Sequence, residues 1–434
     1  MSSNGLYPAK DKAGLQRLQD LPSPPPQSKG WRVIHACEYA RDVLPVVEGQ
    51  VAAGMRPYIV TPQGAGSAEL YLSGSRQEQP RPLSLLRSWQ DVRNWRKSIL
   101  ECDPENAADL VHAHSFASGM AGVRNVGCVV YDFTACIEEL AIVTHQAEPG
   151  SWMGRSFRVA EQFILARVAA VIVHSHGLKK AAEERGAAPE SIFLIPEPLA
   201  FEEESFRSSA PPSDFLERRF RLPAHVTAFF VPRNEEPQEK ITREMADLLQ
   251  AFALADPEHA CLHLLVQPAP GLGQELVRQA TLLGIQDCVS LVDDADAPAT
   301  LESAHVVVAT GESPSDPVAA RRADEHCLRA LWRGKALLAA DVPRNRDASP
   351  EGRGCLWFEN GNPRDLAHRM AFLGRHPDLV PALAAAGRMF MLDTRNSSVI
   401  GRQYRAAYRF AASRRRTTGA GPSVPSFEPV ANLG

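Results

Sequence analysis

From Trp31 onward, short runs of β-branched and other apolar residues alternate with longer stretches in which apolar positions recur every third or fourth residue. Buried strands of a parallel sheet read as continuous apolar runs, and amphipathic helices carry the longer period. The pattern predicts strands over 33–36, 58–61, 110–113, 128–131, 170–174 and 191–195. It predicts helices over 43–53, 85–102, 116–123, 156–166 and 178–185. Such alternation builds βαβ units, hence a mostly parallel sheet with helices on both faces.

Residues 201–225 interrupt the pattern, because charge, Pro211 and Pro212 replace the periodic apolar positions. The stretch reads as a linker. The alternation then restarts, with strands at 228–231, 261–266, 289–292, 306–309, 336–339 and 355–358. Helices follow over 245–255, 274–283, 323–333, 363–373 and 379–390, and one long helical pattern covers 399–416. The expected fold class is therefore α/β, with doubly wound domains at 31–200 and 226–395 facing each other across a cleft. Residues 1–30, with the run Leu21-Pro-Ser-Pro-Pro-Pro26, are expected to be a flexible leader, and the Gly/Pro/Ser-rich stretch 417–434 a disordered tail.

At 434 residues there is ample material for two large cores. Lys and Arg number 47 against 51 Asp and Glu, a net charge of −4, so no global basic field marks a nucleic acid binder. Eight cysteines without a CxxC pair fit neither a disulfide framework nor a zinc finger, and read as buried thiols in a reducing cytoplasm. No apolar stretch approaches the ~18 residues of a spanning helix. The expected location is cytoplasmic, at most peripheral at the inner face of a membrane.

In open parallel sheets, ligands sit beyond the carboxyl ends of the strands. Those positions hold His35, His112, His114, Asp132, His174, His176 and Glu197 in the first half, and Arg233, Gln267 and Glu312 in the second. Histidine is concentrated at one edge of the N-terminal domain, although each taken singly reads as a hydrogen-bonded loop residue. His112 and His114, like His174 and His176, are spaced i and i+2 and point the same way on a strand. Third and fourth ligands have no obvious source, so no metal site is expected.

Several segments resemble the family 4 glycosyltransferases of two-domain GT-B architecture. Asp109-Leu-Val-His-Ala-His114 is similar to the family's D-V-V-H-A-H strand end. Ala169-Ala-Val-Ile-Val-His-Ser175, Leu178 to Gly186 and Ser191 to Pro196 fall in the order of another family segment. So do Arg233, Leu248 to Ala253, Leu282 to Ile285, Leu331 to Lys335 and Gly361 to Leu366. The resemblance implies Rossmann-like domains, a C-terminal helix (396–416) that returns to the first domain, and sugar transfer from a nucleoside-diphosphate sugar. It implies that Arg233, with Lys240 or Arg243, holds the diphosphate, whose developing charge fixed cations can stabilise without a metal. Alternatively, these three are a solvated loop balanced by Glu235, Glu236, Glu239 and Glu244. The resemblance assigns no cofactor, since the nucleotide sugar is a substrate; it places His114 as the candidate catalytic residue and Glu312, Arg321 and Arg329 in the donor sugar and nucleotide region. His35, His112, Asp132, His174 and Glu197 line the acceptor side.

The family's Glu-x7-Glu positions fall on Arg321 and Arg329 here, and arginine offers five donors and no acceptor. With Glu325 they are spaced i, i+4, i+8, the pattern of an ion-pair ladder on an exposed helix face. Ile195-Pro-Glu-Pro-Leu199 stands where the family has a glycine turn. Two readings follow: an active enzyme with a glycan or lipid-linked acceptor, or a non-catalytic subunit that binds glycan or supports an active glycosyltransferase. A nucleotide-sugar epimerase of similar build would need cleft carboxylates that the sequence does not place. The C-terminal helix carries six arginines and no acid from Arg402 to Arg416, interleaved with Tyr404, Tyr408 and Phe410. Its aromatics are expected to pack on the fold with the arginines facing solvent; contact with anionic lipid is the other use of such a face.

Overall fold

A computed structural model describes residues 31–37, 43, 46–47, 50, 55–61, 64–65, 85–102, 108–125, 127–197, 211–223, 226–232, 238–256, 261–311, 317–321 and 323–417. The first sheet is built from β1 (Arg32–Ala36), β2 (Arg56–Thr61), β3 (Gly64–Ala65), β4 (Leu110–Ala113), β5 (Val129–Asp132), β6 (Ala170–Val173) and β7 (Ile192–Leu194), in the spatial order β3-β2-β1-β4-β5-β6-β7. Every pairing is parallel except that of β3 with β2. The second sheet is entirely parallel. It orders β8 (Thr227–Val231), β9 (Leu262–Val266), β10 (Val289–Leu291), β11 (Val306–Ala309), β12 (Ala336–Ala340) and β13 (Cys355–Phe358) as β10-β9-β8-β11-β12-β13. Each is a doubly wound sheet whose strand order reverses at one point, β1/β4 in the first and β8/β11 in the second, and it is there that ligand crevices open. The fold class read from the periodicity is the one observed.

The two faces of the first sheet carry different cores. Ile34, Val111, Val129, Tyr131, Val171 and Val173 pack against the helices Leu85–Cys102, Phe116–Asn125 and Trp152–Leu165. Val33, Leu110, Val130, Ala170 and Ile172 face the other way and are covered by the C-terminal helix Ser397–Thr417. That helix presents Ile400, Tyr404, Ala407, Tyr408 and Ala411, spaced i, i+4, i+7, i+8 and i+11, as one buried stripe. Arg402 and Arg409 face solvent, while Arg414 reaches Glu190 at 3.2 Å. Among the described residues no helix is long and apolar enough to cross a membrane.

Sequence periodicity missed elements of about two turns or fewer. Ile137–Val143, Ala297–Ser303 and Pro343–Ala348 are too short to display a period. Helix Phe215–Phe220 lies inside the stretch read as linker, and its Leu216 and Phe220 pack with Leu222, Ala228 and Phe230 of the second domain.

One close approach in the second domain is testable. Gly354, before β13, has φ +79°, and a Cβ there would stand 2.4 Å from Gly387 Cα and 2.7 Å from its nitrogen. Gly354→Ala should lose about 1–2 kcal/mol to the left-handed backbone and about 1–3 kcal/mol to overpacking. Gly150→Ala, at φ +75° with nothing within 4 Å, should lose only the backbone part. Equal urea midpoints for the two variants would show that the helix Leu379–Arg395 yields freely at Gly387.

Candidate functional site

The strand register assembles a polar cluster at the carboxyl edge of the first sheet. His35 of β1 lies beside His112 of β4, and His112 lies beside Val130 of β5. Two residues further along, side chains return to the same face, which sets His114 beside Asp132. Asp132 pairs in register with Ile172 of β6, so His174, two residues on, joins the same face. This is the face that the C-terminal helix covers, apolar at its base and histidine-rich at its edge.

Close polar contacts link the members of the cluster. His174 donates Nδ1–H to the Ile195 carbonyl (2.7 Å) and Nε2–H to Asp132 Oδ1 (2.8 Å). Both partners only accept, so His174 carries both protons and is an imidazolium. Burial alone would lower its pKa, but the Asp132 carboxylate outweighs this and raises it to about 9. Burial would likewise raise Asp132, yet the His174 charge and the bonds from His174 and His114 hold it well below the usual carboxylate range. On the other side, His114 Nδ1 donates to Asp132 Oδ2 at 3.0 Å, and His114 Nε2 lies 2.9 Å from His35 Nδ1. His35 Nε2 meets Gln50 Oε1 at 2.8 Å, Gln50 Nε2 donates to the Tyr408 hydroxyl at 2.8 Å, and that oxygen lies 2.8 Å from His112 Nδ1. Burial, reinforced by His114, lowers His35 to about 3 and His112 well below its ordinary value, so both rings are neutral.

Five of the expected acceptor-side or catalytic residues are thus in one network: His35, His112, His114, Asp132 and His174. His114 alone among the cluster's first three histidines has an exposed edge, its side chain being 11% accessible, but both its ring nitrogens are engaged. Glu197 is exposed beyond β7, and its carbonyl accepts from Arg395 at 3.4 Å. Gln50 and Tyr408 had no sequence signal pointing to the site. Tyr408 is 296 residues from His112, and its spacing with Tyr404 reads as simple packing.

The donor-side candidates are not gathered in the same way. Arg233 and Glu312 lie outside the described residues, as does the Lys240 side chain at the start of helix Gln238–Ala255. Arg243 is exposed on that helix. Glu244 does not balance a solvated loop: it is buried, and Thr310 at the end of β11 donates to its Oε2 at 3.0 Å. The expected ladder of Arg321, Glu325 and Arg329 is half present. Glu325 and Arg329 pair at 2.5 Å, but helix Glu325–Trp332 begins only after Asp324, whose side chain caps Cys327 N–H at 2.9 Å. Arg321 precedes that cap and is out of helical phase with Glu325.

Arg321 turns to the first domain instead. Its Nε and Nη2 each donate to Glu139 at 2.8 Å, a bidentate pair, and its carbonyl accepts from Ser175 Oγ. Arg185 Nη2 reaches the same carboxylate at 3.3 Å, and Arg185 Nε lies 2.9 Å from Glu161. Burial would raise Glu139, yet hydrogen bonding to Arg321 brings it below its ordinary value. Nearby, His176 donates its backbone N–H to Asp347 Oδ1 at 3.1 Å, and its Nδ1 lies 2.5 Å from the same oxygen. Arg395 donates to the Asp347 carbonyl at 3.1 Å. The two domains are therefore pinned together by charged side chains beside the histidine edge.

Residues 40–202 match Glycosyltransferase Family 4. No curated protein matches the chain by sequence. Among solved structures, a glycosyltransferase from Rickettsia africae ESF-5 superposes with a TM-score of 0.60 at 13% identity, over 88% of this chain and 99% of that one. Anabaena Alr3699/HepE in complex with UDP superposes with a TM-score of 0.57 at 16% identity, over 88% and 99%. Sucrose-phosphate synthase from Thermosynechococcus elongatus follows at 0.53 and 17%, over 88% and 100%. All three cover both domains. With its two doubly wound sheets, the chain has the GT-B fold, and residues 40–202 of it are similar to Glycosyltransferase Family 4.

Proposed function

We propose that the chain is a metal-independent glycosyltransferase that moves a sugar from a nucleoside-diphosphate sugar to a glycan or lipid-linked acceptor in polysaccharide or glycoconjugate synthesis. The observation that carries this reading is the joint occurrence of a family 4 match over 40–202 and a complete second doubly wound domain. The donor binds at the β8/β11 switch point, where Thr310 and buried Glu244 stand and where Arg233, Lys240 and Arg243 belong to the segment after β8. Glu312, two residues after Thr310 in the sequence, is assigned to the donor as well. Relatives of this fold have been seen with UDP and with UDP-glucose, so uridine donors are the first to try. The acceptor enters from the histidine edge, past the accessible face of His114. Arg321 and Arg329 are not assigned to the donor, since their guanidinium groups pair with Glu139 and Glu325.

A thermal-shift series with UDP, GDP and their sugars tests the reading. Nucleotide at 100 times its Kd should stabilise the protein by ~2.7 kcal/mol. Arg233→Ala should then weaken binding by about 1.5–3 kcal/mol, the worth of a charge-assisted hydrogen bond. The second reading, a non-catalytic subunit, draws on the commitment of Arg321 to the domain interface where the family has a carboxylate. Failure of every nucleotide to shift the melting curve would favour it.

A further inference from the structure

We infer that His35, His112 and His114 form a binding site for one first-row divalent cation of the zinc type. Their ligating nitrogens all lie within 4.8 Å of one another. Three imidazole nitrogens about 2.0–2.1 Å from a tetrahedral zinc stand roughly 3.3 Å apart, so only small side-chain shifts separate this cluster from a coordinated one.

The hydrogen-bond accounting calls for a shared cation. With His35 Nε2–H donating to Gln50 Oε1 and His114 Nδ1–H donating to Asp132 Oδ2, His35 Nδ1 and His114 Nε2 face each other at 2.9 Å as two lone pairs. A proton between them would relieve that contact, and so would turning the Gln50 amide over, since its O and N are assigned from the bonding pattern. Neither change helps His112. Its ring is sealed from solvent, its Nδ1 is engaged by Tyr408, and its Nε2 has no hydrogen-bond partner. A proton serves two of the three nitrogens, whereas a metal ion serves all three.

The surroundings are those of a metal centre. A ligating histidine almost always donates its other N–H to an oxygen that fixes its tautomer and orientation. Here Gln50 Oε1 stands against His35, the Tyr408 hydroxyl against His112, and Asp132 Oδ2 against His114. Borderline-soft imidazole donors suit zinc and its neighbours rather than magnesium or calcium. With His35 and His112 wholly buried, the ion would tie β1 to β4 and, through Tyr408, to the C-terminal helix.

The test uses the full-length chain, stripped with a chelator and titrated with Zn2+ at neutral pH. The expected result is one tightly held Zn2+ per chain and a higher melting temperature. Co2+ in its place should give the intense visible bands of low coordination. His112→Gln should abolish that equivalent, and Tyr408→Phe, which keeps the ring and removes only the orienting hydroxyl, should weaken Zn2+ binding about 10–100-fold. Because the wild-type titration stands alone, misfolding of a variant leaves the proposal testable. Absence of a stoichiometric Zn2+, a Co2+ spectrum of the hydrated six-coordinate ion, or full retention of the metal by folded His112→Gln would each overturn it.

Discussion

Asp132→Ala should cost about 3–5 kcal/mol of folding free energy, the expected penalty for leaving a buried charge without its partner. The His174 side chain is only 8% accessible, and its two ring nitrogens face Ile195 O and Asp132 Oδ1, so little solvent is at hand to take the place of the carboxylate. The same substitution also removes the acceptor of His114 Nδ1, a part-buried donor. The sign of the pH response follows from the raised pKa of His174. In the unfolded chain this ring titrates near 6.5, and in the fold near 9. Its contribution is thus fully present below pH 6.5, declines above it and is lost as the pH passes 9. His174→Gln should flatten the stability profile between pH 6.5 and 9. Urea titrations at pH 6 and pH 9 measure both effects. A loss below 1 kcal/mol for Asp132→Ala at pH 6 would mean that the pair is hydrated and contributes little.

The histidine edge shows how far sequence reasoning reaches in a parallel sheet. His35, His112, Asp132 and His174 were legible as strand-end residues, because each ends an apolar run and the switch-point rule directs attention there. Their connectivity was not legible, since register between β1, β4, β5 and β6 is set by packing across as many as 79 residues, as with His35 and His114. For the same reason the third histidine of the cluster was missing from the sequence argument against a metal. Asp132 bridges β4 and β6 across β5, which brings His114 and His174 to one carboxylate although their strands are not neighbours. Gln50 and Tyr408 carry no mark of their role. A buried tyrosine on a helical stripe looks identical whether its hydroxyl meets an imidazole or water.

The Arg321 clamp carries the other large effect. Arg321→Glu would restore the residue type of the family motif, yet set two carboxylates where a bidentate pair stands at 2.8 Å. Opposed charges become like charges, and the remaining cation, Arg185, is already shared with Glu161. The domains are close enough there to feel the change: a Cβ on Gly177 would stand 2.9 Å from the Arg321 carbonyl oxygen. Arg321→Glu should therefore separate the domains, seen as a larger radius of gyration in solution scattering and as loss of cooperativity in the melting curve. Glu139→Arg alone should do the same, because it opposes Arg321 and Arg185 together. The double variant Arg321→Glu with Glu139→Arg recreates the pair with its polarity reversed. It should recover about 1.5–3 kcal/mol relative to the sum of the single losses, the range of charge-assisted bonds. Additive losses in that cycle would show that Arg321 and Glu139 do not act on each other. In that case the arginine at the motif position would be free to face the donor pocket, and a donor bearing a carboxylate, such as a uronic acid, would become the ligand to test against it.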